Sequence, residues 1–246
     1  MPERSLMKRI ENANCPISLA EALSHACPEQ SRRDGLAVIA EIKKASPSAG
    51  VIRKDFEPVK IAQSYVKAGA KALSILTDEK YFQGSLEYIE QVRSLVPVPI
   101  LRKDFLIDPY QLLEARAFGA DAVLLIVAAL DNEQLRNLLE KTSEFGMDAL
   151  VEVHSADEMK TAIDAGAKII GINNRNLETF KIDLATTEQL APLAPSGTVL
   201  VGESGLHTKN DIQRMIQAGV DAVLVGTHFM KHPDPGIALQ QFLKYF

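Results

Sequence analysis

The strongest constraint on this chain is a repeat. An apolar run of strand length, a polar loop and an amphipathic stretch of helix length follow one another eight times from residue 37 onward. The strands read as Ala37–Ile42, Ala72–Leu76, Pro99–Arg102, Ala122–Ile126, Ala149–Val153, Lys168–Ile172, Thr198–Val201 and Ala222–Val225. Most are near-continuous runs of Val, Ile, Leu and Ala, without the alternation of a half-exposed sheet. Strands of that kind are buried on both faces, which requires a parallel sheet covered by helices. The helices read as Val59–Ala68, Leu86–Leu95, Tyr110–Phe118, Glu133–Glu144, Ala156–Ala165, Leu184–Leu190, Lys209–Ala218 and Ile237–Tyr245. Gly69, Gly119, Gly166 and Gly219 stand between a helix and a strand, separated by 50, 47 and 53 residues, two strand–helix units per interval. Glycine at that joint suits the left-handed turn that closes a helix. Eight units in 246 residues fit one α/β domain, a (β/α)8 TIM barrel. The alternative, a doubly wound open sheet, would carry a glycine-rich fingerprint after its first strand, and none is present.

Residues 1–36 read as a short N-terminal extension and 37–246 as the barrel. Within the extension, Ser18 reads as a helix N-cap with Glu21 at the capping-box position. That helix should end before Pro28, and Ser31 to Gly35 should form a loop into the first strand.

The net charge of −5 argues against a nucleic-acid surface and leaves room for an anionic small molecule held by a local cluster of donors. Cys15 and Cys27 have no metal-ligand spacing; their number allows a disulfide between them, and they read as reduced structural thiols. No run reaches the length of a membrane span, and the first residues lack the apolar core of a signal peptide. The expectation is a cytoplasmic monomer with no membrane or nucleic-acid partner.

In such a barrel the active site lies at the C-terminal ends of the strands. Glu41 and Lys43 are two residues apart at the end of the first strand, so they share a face. Taken alone, they read as a strand-end ion pair beside the Ser46-Pro47-Ser48 loop. Lys103 ends the third strand, Glu152 the fifth, Asn173 and Arg175 the sixth and Glu203 the seventh. Each alone has a structural reading as a loop residue, a turn former or the partner of a structural arginine. Ionisable groups ending apolar strands are costly to desolvate unless paired, and six of eight strands end in polar or charged groups on one rim. Three carboxylates and several cations there suit proton transfer with tuned pKa values. They suit a metal poorly, because the lysines compete for the carboxylates. Ser204, Gly205, Gly226 and Thr227 end the last two strands, where small residues let backbone N–H groups approach an anion such as phosphate.

These residues resemble the indole-3-glycerol-phosphate synthase family. The carriers are Glu41-Ile42-Lys43-Lys44-Ala45-Ser46-Pro47-Ser48, Leu76-Thr77-Asp78-Glu79-Lys80-Tyr81-Phe82-Gln83-Gly84, Leu101-Arg102-Lys103-Asp104-Phe105, Gly171-Ile172-Asn173-Asn174-Arg175 and Glu203-Ser204-Gly205. The resemblance runs from about Ile39 to the C-terminus. It implies cofactor-free conversion of 1-(2-carboxyphenylamino)-1-deoxyribulose 5-phosphate to indole-3-glycerol phosphate by ring closure, decarboxylation and dehydration, in tryptophan biosynthesis. It implies that Lys103 is the general acid for ring closure and Glu152 its acid/base partner. Glu41 and Lys43 match the pair near the substrate carboxylate and the dehydration; which lysine protonates at which step is left open. Asn173 and Glu203 match groups that orient the substrate and the lysines, and Arg175 matches a residue of the same rim. Ser46, Ser204, Gly205, Gly226 and Thr227 match the phosphate side, and Phe82, Phe105, Leu124 and Leu177 the aromatic-ring side. Residues 1–16 do not clearly match the family's N-terminal extension. Ala49 and Thr227 replace residues common in the family, lysine at the first position and serine or glutamate at the second. The alternatives are another phosphate-binding barrel such as phosphoribosylanthranilate isomerase, which lacks the Glu41/Lys43 and Lys103-Asp104-Phe105 motifs, or a silent barrel scaffold, which should have lost its rim charges.

Overall fold

A computed structural model describes residues 1–24 and 36–246. The expectations for Cys27, for a helix end before Pro28 and for a loop from Ser31 to Gly35 lie outside the described residues. Eight parallel strands close into a barrel: β1 (Ala37–Ile42), β2 (Ala72–Leu76), β3 (Ile100–Lys103), β4 (Ala122–Ile126), β5 (Asp148–Val153), β6 (Ile169–Asn173), β7 (Val199–Glu203) and β8 (Ala222–Val225). Each strand pairs with its sequence neighbours, and β1 closes the ring against both β2 and β8, with Ala37 opposite Ala222 and Glu41 opposite Ser74. All eight expected strands are present. Three end one or two residues later than their apolar runs, so that Lys103, Asn173 and Glu203 lie in the strands themselves. The backbone ladder extends past the last apolar residue because the inward-facing polar groups find partners inside the barrel.

Successive strand residues face opposite ways. Ile39, Ala72, Leu101, Leu124, Leu150, Ile169, Val201 and Leu224 fill the barrel interior, while Val38, Ala40, Leu73, Val123, Val151, Ile170 and Val223 pack outward against the helices. Both sets are buried, which accounts for the unbroken apolar runs. The four interunit glycines all stand at positive φ.

The helices follow the strands, with several bounds shifted. The segment expected at Leu86–Leu95 is helical over Glu87–Arg93, because Leu95 leads into the turn before Pro97. A short helix α4 (Glu79–Phe82), capped by the Asp78 side chain, precedes it and was not expected. Another short helix, α11 (Thr227–Met230), follows β8. A two-residue hairpin, Ala45–Ser46 against Gly50–Val51, follows β1.

The N-terminal segment carries helix α1 (Glu3–Glu11) and helix α2 (Leu19–Leu23). Ser18 caps α2 by accepting from the Glu21 N–H, at the expected position. Leu19 and Leu23 join the interior apolar cluster and plug the N-terminal end of the barrel. Leu6 of α1 is buried against Leu113 and Ala117 of helix α6 (Pro109–Ala117). Side chains of Asp121 and Asp148 hold this segment, accepting from the Ile17 N–H at 2.8 Å and the Ala20 N–H at 3.0 Å.

Candidate active site

The C-terminal mouth of the barrel opens into a cavity of about 680 Å³, a size suited to a small-molecule ligand. All six acid/base candidates line it: Glu41, Lys43, Lys103, Glu152, Asn173 and Glu203. Glu41 faces inward because Ala37 and Ile39, at the same parity on β1, do so. Its carboxylate forms an ion pair with Lys43. Lys103 Nζ bridges two strands, lying 3.0 Å from Glu152 Oε2 and 2.9 Å from Glu203 Oε2. Asn173 Nδ2 donates to Glu152 Oε1 at 3.0 Å, and Asn173 Oδ1 accepts from the Arg175 N–H at 3.0 Å. The carboxylate partners on this rim are therefore lysines, where one reading of the sequence had Glu152 and Glu203 as partners of structural arginines.

Burial opposes the charge on Lys103, yet Glu152, Glu203 and Glu41 outweigh it and hold the ammonium well above its usual range. Burial likewise opposes charge on Glu152, but Lys103, His154 and Asn173 prevail and keep that carboxyl well below the usual range. Glu203 goes the other way. Burial, with the charges of Glu152 and Glu41, pushes it up to about 7 against the pull of Lys103. The two carboxylates share one ammonium, and only one is strongly held in the ionised form.

The remaining candidates fall into two groups around the same cavity. Phe82 and Phe105 stand over the ends of β2 and β3 with ring centroids 6.4 Å apart, and Leu124 and Leu177 complete an apolar wall. Phe105 and Leu177 are exposed at the open mouth. Ser46, Ser204, Gly205, Gly226 and Thr227 lie after β1, β7 and β8, with Arg175 on the cavity wall beyond β6. Ser204 has a positive φ of 66°, costly for a residue with a side chain. Gly226 has a second role: a Cβ there would run into Glu41 Oε1, so the missing side chain makes room for that carboxylate. Gly171 makes room in the same way for Glu203.

Two supporting residues were not singled out by the sequence. Asn174 is buried, and its Nδ2 donates to the Glu203 and Ser204 carbonyls at 2.9 and 3.2 Å, fixing the strained turn after β7. Its place after Asn173 is a usable signal, because the next residue along a strand must face the other way. Arg102 likewise points outward beside Lys103, and donates to Thr77 Oγ1 and Asp104 Oδ2, each at 3.1 Å. Among the described residues, no group of three His, Cys, Asp or Glu side chains is placed to hold a metal, and no helix is long and apolar enough to cross a membrane.

A family model described as indole-3-glycerol phosphate synthase matches residues 2–242. The chain belongs to the indole-3-glycerol phosphate synthase family. The match includes residues 2–16, so the N-terminal segment, which did not clearly resemble the family in sequence, is part of it. Indole-3-glycerol phosphate synthases from Roseiflexus sp. and Campylobacter curvus are similar, at 49% identity over 95% of this chain and 87% of the relative, and 48% over 91% and 84%. One from Albidiferax ferrireducens is 53% identical over 83% of this chain and 78% of its own length. Among solved structures, a thiamine phosphate pyrophosphorylase from Pyrococcus furiosus superposes with a TM-score of 0.66 over 87% of this chain and 96% of its own. At 16% identity that likeness shows the fold alone. Membership in the synthase family sets aside the isomerase alternative.

Proposed function

We propose that this cavity converts 1-(2-carboxyphenylamino)-1-deoxyribulose 5-phosphate to indole-3-glycerol phosphate, with Lys103 as the proton donor for ring closure. The observation that carries this is Lys103 Nζ held between Glu152 and Glu203 on one cavity wall, with an apolar wall on one side and an anion-accepting end on the other. The aromatic ring packs against Phe82, Phe105, Leu124 and Leu177, and the phosphate takes backbone N–H groups and hydroxyls from Ser204, Gly205, Gly226 and Thr227, with Ser46 opposite. This seating sets the ring carbon that bears the carboxylate against the ketone carbon.

Bond formation between those two carbons turns the ketone oxygen into an alkoxide, and Lys103 protonates it as it forms. Carbon dioxide then leaves, and the electron pair of the broken carbon–carbon bond restores the aromatic ring. Loss of water needs an acid for the hydroxyl and a base for the proton on the neighbouring carbon. Lys43, paired with Glu41, is the acid nearest the carboxylate, and Glu152 takes the carbon-bound proton. Asn173 and Glu203 keep Lys103 and Glu152 in place. The work is done in the cytoplasm by a monomer, which sedimentation equilibrium tests.

The deciding experiment supplies the carboxyphenylamino substrate to the pure protein and follows indole fluorescence. Product formation is expected; its absence from folded protein would favour a silent scaffold.

A further inference from the structure

Two histidines at the phosphate end of the cavity take no part in the reaction proposed above. His207 follows Ser204 and Gly205 in the loop after β7, and His228 follows Gly226 and Thr227 after β8. Both line the cavity, as does Lys231 just past α11. Their rings meet across the two loops, with His207 Nδ1 3.4 Å from His228 Nδ1 and ring centroids 5.4 Å apart. His207 is exposed and His228 half-buried, its ring packed against Phe229 and Phe242 at 5.7 and 5.9 Å.

That contact limits where protons can sit. Two facing ring nitrogens make a hydrogen bond when one of them, and not both, carries a proton. A neutral pair holds two protons, one between the Nδ1 atoms and one on a single Nε2, so the other Nε2 presents a lone pair. A pair with one positive charge holds three, and both Nε2 atoms are then donors. A fourth proton would set two Nδ1–H groups against each other and break the contact. One proton therefore separates a pair that repels an anion at one ring from a pair that donates to it at both.

The charged and titratable groups bearing on the pair are His232, in the turn after α11, Lys231 beside it, and Asp211 of helix α10 (Lys209–Ala218). Asp211 is engaged elsewhere, because its Oδ2 accepts from the His207 and Thr208 N–H groups at 3.0 and 2.8 Å. Among the described residues, the only histidine–carboxylate ion pairs are those of His154. Burial, with the charges of His207 and His232, lowers the His228 imidazole, so the free protein gives up charge there readily. A doubly charged anion set against both rings reverses that balance, since an opposite charge favours the protonated form.

We propose that His207 and His228 together bind the phosphate of the substrate and take up one proton from solvent as it arrives, so that both Nε2 atoms donate to its oxygens. The inference rests on the synthase reading above, which seats the phosphate at this end. One proton is gained from solvent, and no bond between heavy atoms changes.

Calorimetric titration of indole-3-glycerol phosphate into the protein at about pH 7.5, in buffers of differing ionisation enthalpy, counts the protons taken up on binding. A phosphate monoester loses its second proton near about pH 6, so the ligand arrives doubly charged and any proton gained goes to the protein. Glu203, pushed up to about 7, titrates in the same range, so the count is read as a difference between proteins. The parent should take up about 0.5–1 proton more per bound product than the double variant His207→Gln with His228→Gln. The double variant should also bind the product about tenfold more weakly, the low end for hydrogen bonds to a charged group. His207→Gln alone, in the exposed loop, serves if the double variant fails to fold, and it should lose the uptake too, because a single ring has no partner with which to share a proton. Equal proton counts in parent and variant, or unchanged affinity, would overturn the inference while leaving the synthase reading intact. A parent protein that neither turns over the carboxyphenylamino substrate nor binds the product would overturn both.

Discussion

Carboxylates stand at both ends of this barrel, and their partners differ in kind. At the N-terminal end Asp121 accepts from the Ile17 and Ile100 N–H groups at 2.8 and 2.7 Å and pairs with Arg93. Asp148 accepts from Ser18 Oγ and the Ala20 N–H, each at 3.0 Å, and Asp221 accepts from the Leu200 N–H at 2.8 Å. At the C-terminal end Glu41, Glu152 and Glu203 face the ammonium groups of Lys43 and Lys103. Amide and guanidinium donors keep their protons throughout the ordinary pH range, so the lower ring fastens strands and chain segments together. An ammonium between buried carboxylates can give its proton away and take it back, so the upper ring can do chemistry. The same functional group is a clamp at one end and is placed to act as an acid or base at the other, and the partner's willingness to part with a proton decides which.

The comparison can be broken most directly at Lys103. Lys103→Ala should lower kcat by about a thousandfold, within the range for a lost general acid. The fold should persist, because Glu203, already near protonation at neutral pH, can take up a proton in place of the lost ammonium. Indole fluorescence and thermal melting check the two halves of that statement.

At the other end, Asp121→Ala removes the partner of Arg93 and leaves the Ile17 and Ile100 N–H groups unsatisfied. The expected cost is about 3–5 kcal/mol in urea unfolding, with turnover per folded molecule within about twofold of the parent. Collapse of turnover with no loss of stability would erase the distinction between the ends.

Leu6→Ala probes the extension further from either ring. It opens a hole between α1 and α6 and should cost about 2 kcal/mol, again without a change in kcat. The last effect is one of pH. The folded imidazole of His154 is raised from 6.5 to about 9, so its contribution to stability is fully present below pH 6.5 and is lost as the pH rises through about 9. The gap in melting temperature between the parent and His154→Gln should shrink across that window, which a pH series of melts would show.

The barrel was legible because burial on both strand faces leaves a signal in every unit, and the co-facing of Glu41 and Lys43 follows from strand geometry alone. The pairing of Lys103 with Glu152 and Glu203 was not, since partners 49 and 100 residues away meet only when the ring closes. The fit of α1 onto α6 rests on one fully buried leucine with Ile10 packed partly buried beside it, too short an apolar stripe to mark a docking face. The hairpin after β1 has two residues per strand, too short for any periodicity to register. His154 lies one residue past β5, where a strand pattern says nothing about direction.

Gly171 and Gly226 carry no functional group, yet each is the floor on which a neighbouring strand's carboxylate rests. A single methyl at either would evict the oxygen it faces and push it toward the ligand. The proposed acid/base set can therefore be retuned from an adjacent strand, by bulk alone, with every one of its residues left in the sequence. A catalogue of functional side chains would score such a variant as intact. Its chemistry would nonetheless differ, because in this barrel the positions of the charges are set as much by the absent side chains as by those present.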